Sequence, residues 1–224
     1  MEMKPVVHYL LLTIWIVFCL VAFLSAKTEE CGCLLCPRPP GTGLQAQWIW
    51  IPDAAGMEWR NSYAYFRKMF TASGKATLHI AADTWYNVYL DGKLIDRGTA
   101  PADVNYKIYD THTVILNPGQ HVLAFLVHHI GQVCATAMKS RPGLFVELQL
   151  EDGGRVLSDS TWKTLPATAY RQYLPCMMSH FGFYEVCDGA KVPKGWAELE
   201  FDDKAWFSAQ VIGPAGSAPW LRMI

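Results

Sequence analysis

The sequence predicts an all-β protein, a β-sandwich of the jelly-roll kind, on three observations. Short runs rich in β-branched and aromatic residues recur from Gln47 onward, with turn residues about every 8–12 positions, a spacing typical of sandwiches and barrels. Between two of these runs lies Asp91-Gly92, a strong hairpin signal because a type I′ turn needs positive φ at both central residues. No stretch of roughly twelve residues has convincing helical periodicity, and strands do not alternate with helices, which excludes a sheet built from βαβ units.

The predicted strands follow one another along the chain, separated by Gly, Pro, Asn and Asp. They are 48–51, 62–70, 76–82, 86–90, 93–97, 114–116, 121–130, 143–150, 155–157, a short strand that opens at Trp162, and 209–212. Residues 121–130 are apolar on both faces, which predicts a central strand buried between two layers. Asn117-Pro118-Gly119, just before that strand, is expected to form a turn.

Residues 167–200 interrupt the β pattern, because they are rich in Gly and Pro and show little alternation. We expect a long ordered loop excursion here that packs onto the sandwich, since it contains several aromatic residues: Tyr170, Tyr173, Phe181, Phe183 and Tyr184. The run Asp202–Trp206 after it is expected to form one helical turn with Asp202 as its cap.

Residues 1–26 have the pattern of an N-terminal signal peptide, which adds a signal helix to the predicted fold. Lys4 precedes an apolar run from Tyr9 to Leu24 that is shorter than the roughly 20 residues of a membrane span, and Ala26 provides a small residue for cleavage. We therefore expect a secreted or periplasmic protein with no membrane association after cleavage, the alternative being an uncleaved signal anchor. Residues 27–45 form a Cys- and Pro-rich linker that is expected to be disordered, and 46–224 form the β-sandwich.

Seven cysteines are present, and one of them, Cys19, lies within the predicted signal. The other six permit three disulfides in an oxidising compartment: Cys31, Cys33, Cys36, Cys134, Cys176 and Cys187. A loop-like stretch separates Cys176 from Cys187, so these two are expected to form a local disulfide. The three N-terminal cysteines lack a fourth ligand at zinc spacing, and no metal site is expected there.

Charge excludes two classes of partner. The formal net charge is −1, which gives no electrostatic basis for binding nucleic acid or an anionic membrane surface. Aromatic residues are abundant, with nine Trp and ten Tyr, and such residues serve both a sandwich core and the stacking of sugar rings.

Nine runs of the sequence, taken in order, resemble the N-terminal domain of bacterial α-L-rhamnosidases. The runs extend over 46–222 and are 47–50, 65–70, 81–86, 88–93, 119–124, 160–163, 182–188, 201–206 and 219–221. The segment from Gly182 through Trp206 is the most specific for rhamnosidase-like enzymes. The resemblance implies a galactose-binding-like jelly-roll β-sandwich that precedes an all-α toroidal catalytic domain.

In that family the catalytic carboxylates lie in the α domain, and this chain ends at Ile224, about where the linker to it would begin. The resemblance therefore implies a non-catalytic accessory or carbohydrate-binding module without its catalytic domain, whose partner is a glycan that contains rhamnose. One alternative is a structural module that docks the separate catalytic domain through Trp196, Trp206 and Trp220. A glycosidase in its own right, with Asp83 or Glu185 in the site, is the other alternative.

Sugar recognition needs an aromatic platform and a few polar groups set in loops. The candidate sugar-binding residues are Asp83, Trp85, Tyr86, Tyr106, His129 and Arg67. No cofactor is expected, although a calcium ion could take oxygen ligands from Asp83, Asp103 and Asp110. His128 and His129 are strand neighbours and point to opposite faces, so they are not expected to ligate one ion.

Overall fold

A computed structural model describes residues 43–100, 102–135, 137–178 and 182–223. The described residues form fourteen strands: β1 Gln47–Trp50, β2 Ser62–Ala82, β3 Trp85–Leu90, β4 Lys93–Gly98, β5 Tyr106–Lys107, β6 Asp110–His129, β7 Leu144–Leu150, β8 Arg155–Leu157, β9 Lys163–Pro166, β10 Cys176–Met178, β11 Gly182–Phe183, β12 Phe207–Ser208, β13 Gln210–Pro214 and β14 Arg222–Met223. Their only helices are two three-residue 3-10 helices, Asp53–Ala55 and Gly189–Lys191. In this part of the chain no helix has the length and apolar character needed to cross a bilayer.

Two long strands, β2 and β6, organise the sandwich. They pair antiparallel along almost their whole length, with a register shift between Ala72 and Gly74. The second half of β2 also pairs with β7, whereas its first half pairs with β9, and β3 pairs with the second half of β6. The two long strands thus pass from one layer of the sandwich into the other, and the main strand order is β13-β1-β7-β2-β6-β3-β4.

The core lies between these two layers. The Trp50 ring, on β1, lies 5.5 Å from the Phe66 ring on the first half of β2, which brings strands of different layers into contact. Fully buried side chains from both layers complete this core, among them Ile80, Leu78, Phe125, Leu148 and Trp162. Each such side chain removed from water contributes about 1.5–3 kcal/mol of hydrophobic free energy, so this core is a main source of the stability of the sandwich.

Two predictions about local structure are wrong. Residues 62–70 and 76–82 belong to one strand, and Asn117-Pro118-Gly119 lies inside β6 instead of forming a turn. At this point β6 has β2 as its sole neighbour, since Gly119 pairs with Ala72 and β3 reaches only Leu123. A proline is tolerated there because its missing N–H would otherwise face the open side of the strand.

The excursion between β9 and β12 covers the outer face of β2, where Tyr170 stacks on Tyr63 with 4.4 Å between ring centroids, as predicted. Phe183 is also buried, whereas Tyr173 and Tyr184 are exposed, so the aromatic residues pack down only in part. Tyr65 packs against Trp206, at 6.0 Å between ring centroids, and against Trp196, at 4.6 Å.

The predicted helical turn at Asp202–Trp206 is not a helix: the Trp206 amide donates to Asp203 O at 2.9 Å in a tight turn, and the Asp202 carboxylate accepts from the Lys204 amide at 3.1 Å. The predicted signal peptide and residues 27–42 of the predicted linker lie outside the described residues.

Candidate functional site

One end of the sandwich contains a cleft where three connections meet. The β2–β3 turn, the β4–β5 loop and the β6–β7 loop line a small cleft that is partly open to solvent, with an interior volume of about 10 Å³ that is close to the space one water molecule needs. The lining residues are Asp83, Thr84, Trp85, Ala100, Ala102, Val104, Lys107, Ala137, Met138 and Ser140. The floor is therefore polar, whereas small aliphatic side chains and one aromatic ring form the walls.

Asp83 lies at the centre of this floor and joins four segments that are distant in sequence. Its Oδ2 accepts hydrogen bonds from Ser140 Oγ at 2.6 Å and from His129 Nδ1 at 2.8 Å. Its Oδ1 accepts from Trp220 Nε1 at 3.0 Å and lies 3.5 Å from Lys107 Nζ. A carboxylate can satisfy several donors at once, so this one side chain fixes the positions of the cleft walls.

The same contacts keep Asp83 ionised although it is buried. Burial alone would raise the pKa of the carboxyl group, but the hydrogen bond and charge of His129, the charge of Lys107 and the Ser140 hydroxyl together lower the pKa to about 2. At neutral pH the cleft floor is thus a carboxylate paired with an ammonium group.

Two neighbouring aromatic residues of β3 have different environments. Trp85 lines the cleft and is 37% exposed, which leaves part of the ring accessible to a ligand. Tyr86 points the opposite way, is buried, and donates a hydrogen bond from its hydroxyl to Asp110 Oδ2 at 2.6 Å. Strand alternation therefore places only the first of the pair in the site.

Tyr106 and Arg67, two other candidates, do not line the cleft. Tyr106 is 39% exposed on β5, beside the cleft residue Lys107, with the Arg222 guanidinium 5.7 Å from its ring centroid. Arg67 is fully buried on the outer face of β2, where its Nε donates to Asp203 Oδ2 at 2.9 Å. Its role is to hold the excursion onto the sheet.

His128 and His129 point to opposite faces of β6, as predicted. His129 supports the cleft through Asp83, and its Nε2 is buried with no hydrogen-bond partner among the described residues. His128 stacks on Tyr63 with 3.9 Å between ring centroids and bonds to Asn61 Oδ1 at 2.9 Å through Nε2. Burial, with the nearby His129, lowers the pKa of His128 to about 3.

Several site residues could not be found from the sequence. Lys107, Ser140 and Trp220 are separated from Asp83 by 24, 57 and 137 positions. Lys107 and Ser140 lie in no motif, and Trp220, although part of the run 219–221, has no sequence feature that connects it with Asp83. Gly143 has a similar hidden role, because a Cβ at this position would lie 2.5 Å from the Trp220 ring.

The carboxylates considered for hydrolysis or calcium do not form one group. Glu185 Oε2 lies on the outer sheet face, 3.3 Å from the Tyr63 hydroxyl, and Asp83 is the single carboxylate among the lining residues. Asp103 accepts from the Asn105 amide, and Asp110 accepts from Tyr86. Within the described residues no three His, Cys, Asp or Glu side chains are arranged to hold a metal ion.

The two cysteines expected to pair are not bonded to each other in the structure. Cys176 Sγ lies 3.0 Å from Gly182 O and 3.1 Å from Gln132 Nε2. Cys187 lies instead in a backbone bridge with Tyr170. The β10–β11 hairpin directs Cys176 toward the β6–β7 loop, and this separates the two sulfurs.

The tryptophans considered for docking are used inside the sandwich. Trp206 and Trp220 are buried, and Trp220 stacks on Trp48 with 4.0 Å between ring centroids. Trp196 is half-buried against Tyr65. These three rings therefore do not form an exposed docking face.

Comparisons with known proteins give one consistent similarity. The chain is 31% identical to the family 78 rhamnosidase of Bacillus sp. GL1 over 82% of its own length and 20% of that chain, with a TM-score of 0.76. An α-L-rhamnosidase of Streptomyces avermitilis is 24% identical over 214 residues, 89% of this chain and 17% of the relative. The apo lectin of Pleurotus ostreatus shares the fold, with 23% identity and a TM-score of 0.56 over 81% of this chain. No protein-family model matches the sequence.

The chain thus spans about a fifth of the length of the rhamnosidases that it matches. These matches confirm the resemblance that the nine sequence runs predicted.

Proposed function

We propose that this chain, a relative of the α-L-rhamnosidases, is a non-catalytic accessory module that binds glycan at the mouth of the cleft beside Asp83, with a sugar ring against Trp85. The observation behind the proposal is the arrangement of the cleft, in which the exposed Trp85 ring stands over a polar floor at a loop end of the sandwich. An aromatic plane with a few fixed polar groups is the arrangement that sugar recognition requires. The fold assignment that fits this function is a galactose-binding-like jelly roll, N-terminal to a catalytic domain.

The proposed ligand is a neutral or rhamnose-containing glycan. The walls formed by Ala100, Ala102 and Val104 provide apolar contact. The Lys107 ammonium has three N–H groups and can donate to a sugar hydroxyl, whereas Ser140 Oγ, whose proton is donated to Asp83, can accept from one. A Pleurotus ostreatus lectin has been solved in complex with GalNAc, and a Streptomyces avermitilis α-L-rhamnosidase in complex with L-rhamnose. Those ligands belong to those proteins, and for this chain they guide the choice of probes. An extracellular or periplasmic location is part of the same proposal.

Hydrolysis by this chain is not part of the proposal. Glycoside hydrolysis requires two carboxyl groups that face each other at about 5–9.5 Å across a cleft. The described cleft offers Asp83 alone, and its low pKa and four donors make it a poor general acid.

Affinity electrophoresis in gels that contain rhamnogalacturonan tests the function. The wild-type protein should be retarded, and Trp85→Ala should migrate as in a gel without glycan because the platform is lost. Phe207→Ala is the matched control, since Phe207 has a similarly exposed aromatic ring (40%) on β12 and does not line the cleft. Equal mobility of the wild type with and without glycan, across a panel of rhamnose-containing polymers, would contradict the proposal.

A second candidate function is suggested by the partial coverage of the relatives. A module that spans about a fifth of a rhamnosidase could serve to dock the remaining domains. If the wild type binds no glycan but forms a stable complex with a separately expressed helical catalytic domain, docking replaces glycan binding as its function.

A further inference from the structure

We propose that the glycan site continues beyond the cleft onto a second aromatic platform, formed by Trp59 and Tyr173, so that the protein binds an extended chain of sugars. This inference rests on the proposed function and goes further, because it assigns a second subsite and a polymeric ligand. Trp59 lies just before β2, and Tyr173 lies in the excursion before β10.

Both rings are exposed on the surface. Trp59 is 44% exposed and Tyr173 is 75% exposed, values that are high for side chains of this size. The Arg141 guanidinium lies over one face of the Trp59 ring, 5.6 Å from its centroid, in a cation–π contact that holds the ring in place. The part of the ring that stays exposed can contact a sugar, with the guanidinium close by as a hydrogen-bond donor.

The backbone beneath the two rings is fixed by hydrogen bonds. Gln172 Nε2 donates to Arg60 O at 3.0 Å and to Glu58 O, which brings the excursion against the segment that contains Trp59. Asn61 Nδ2 donates to Gln172 O at 2.9 Å from the same segment. The rings therefore lie on adjacent, well-anchored segments, and a ligand would not have to order them.

Tyr173 also has a polar neighbour that can accept hydrogen bonds from sugar hydroxyls. The Glu58 carboxylate lies near its phenol group, and this charge raises the pKa of Tyr173. Together with Arg141, the platform offers a carboxylate acceptor and a guanidinium donor around two apolar planes. This mixture suits a polyhydroxylated ligand, whose hydroxyl groups need both kinds of partner.

The platform and the cleft are joined by one short segment. Met138 and Ser140 line the cleft, and Arg141, next along the chain, reaches the Trp59 ring. From residue 138 to residue 141 the backbone spans at most roughly 10 Å, since each extended residue covers about 3.3–3.6 Å. The two aromatic subsites are therefore close enough to contact one extended ligand.

Isothermal titration calorimetry with rhamnogalacturonan-derived oligosaccharides of increasing length tests the second subsite. The wild type should bind long oligosaccharides at least about ten-fold more tightly than the shortest one, a gain of about 1.4 kcal/mol. Trp59→Ala should remove this gain and leave the affinity for the shortest ligand unchanged. Trp85→Ala should weaken binding at every length.

Tyr173→Ala provides a second variant in which misfolding is not expected, because its ring is mostly in solvent. It should reduce the gain with length as Trp59→Ala does, whereas Phe207→Ala should keep it. Unchanged length dependence in both platform variants overturns the second subsite and leaves the proposed function intact. Absence of any glycan binding by the wild type overturns both. Loss of a protein complex in these variants, with glycan affinity unaltered, assigns the platform to a protein partner and also overturns the inference.

Discussion

At the scale of single residues, Asp83 determines the geometry of the site. A buried carboxylate is costly to remove from water, and the cost is offset only when hydrogen bonds and opposite charge surround it. Here the donors come from His129, Ser140, Trp220 and Lys107, each on a different segment. The residue is therefore better explained by its positioning of the cleft walls than by direct contact with a ligand.

Asp83→Asn should destabilise the protein by about 3 kcal/mol at pH 7. The amide keeps the size of the side chain but leaves Lys107 with no opposing charge and presents two donors to groups that are themselves donors. Urea unfolding measures the change. The control, Asp103→Asn, alters an exposed carboxylate in a local turn and should cost less than about 1 kcal/mol; equal costs in the two variants would contradict the account of Asp83.

His128 should make stability fall in mild acid. Its pKa in the folded protein is about 3, below the ordinary value of 6.5, so between these values the unfolded chain binds a proton that the folded protein does not. The stabilising contribution is complete above pH 6.5 and declines by up to about 1.4 kcal/mol per pH unit as the pH falls. Asp83 is an acid and not a base, but its lowered pKa also makes the free energy of unfolding fall with pH. Its stabilising contribution is lost only below pH 3.8, the ordinary pKa of the carboxyl group.

Measured unfolding free energies at pH 7 and pH 4.5 should isolate this effect. Over this interval the free energy of unfolding of the wild type is expected to fall by about 2 kcal/mol more than that of His128→Gln, because the glutamine does not titrate. A parallel decline in the two proteins would show that His128 is protonated in the folded state.

Part of the candidate cleft could be predicted from the sequence at this scale. Asp83, Trp85 and His129 were among the candidates for a polar group or an aromatic platform, and the structure brings them together. Arg67 was a candidate polar group of the same kind, but the sequence cannot show what covers the outer face of its strand. The period-two pattern shows which face of a strand a residue is on, but it does not show which distant loop packs against that face. For this reason the ion pair between Arg67 and Asp203 could not be predicted.

At the scale of elements, the excursion between β9 and β12 is part of the sandwich. Its tie to β2 is Arg67, whose guanidinium donates to Asp203 Oδ2 and to the backbone carbonyls of Trp196, Glu198 and Phe201. Such a buried cation is stabilised only by a complete set of acceptors. Since the excursion also supplies Tyr173, the order of this element affects the second subsite.

Arg67→Met should release the excursion while the sheet remains folded. We expect a stability loss of about 3 kcal/mol and much faster hydrogen exchange in 196–206, with β6 amides affected less. The neighbouring Lys68→Met is the matched control, because Lys68 is only half-buried and bonds to the exposed Thr161 hydroxyl. Mass spectrometry of the exchanged peptides measures this, and uniform acceleration throughout the sheet in the Arg67 variant would argue against a local role.

The strands themselves were largely predictable, and the corner between layers was not. Period-two alternation and Asp91-Gly92 placed β3, β4 and β7 closely. The crossing of β2 and β6 from one layer to the other depends on a register shift near Gly74, which looks like an ordinary turn signal in the sequence. Short strands such as β5, which pairs in parallel with β14 near the C-terminus, exist only through tertiary contacts.

At the scale of the whole molecule, the candidate cleft lies at one end of the sandwich. Turns and loops from distant regions of the chain meet there around Asp83 and Trp85, and Arg141 extends from the same loop to the Trp59 ring of the proposed platform. Binding residues concentrate on loops held by a rigid scaffold, and the buried core of this sandwich provides such a scaffold. In the rhamnosidase of Bacillus sp. GL1, the region that matches this chain makes up 20% of the length.

The most direct test of the account is an amide-resolved NMR titration of the protein with rhamnogalacturonan oligosaccharides. We expect the largest shifts at residues 83–85, 107 and 137–141, followed by those at 58–60 and 172–173 when the oligosaccharide is long. Shifts confined to another face of the sandwich, or none at all at saturating ligand concentration, would contradict a glycan site at this end of the molecule.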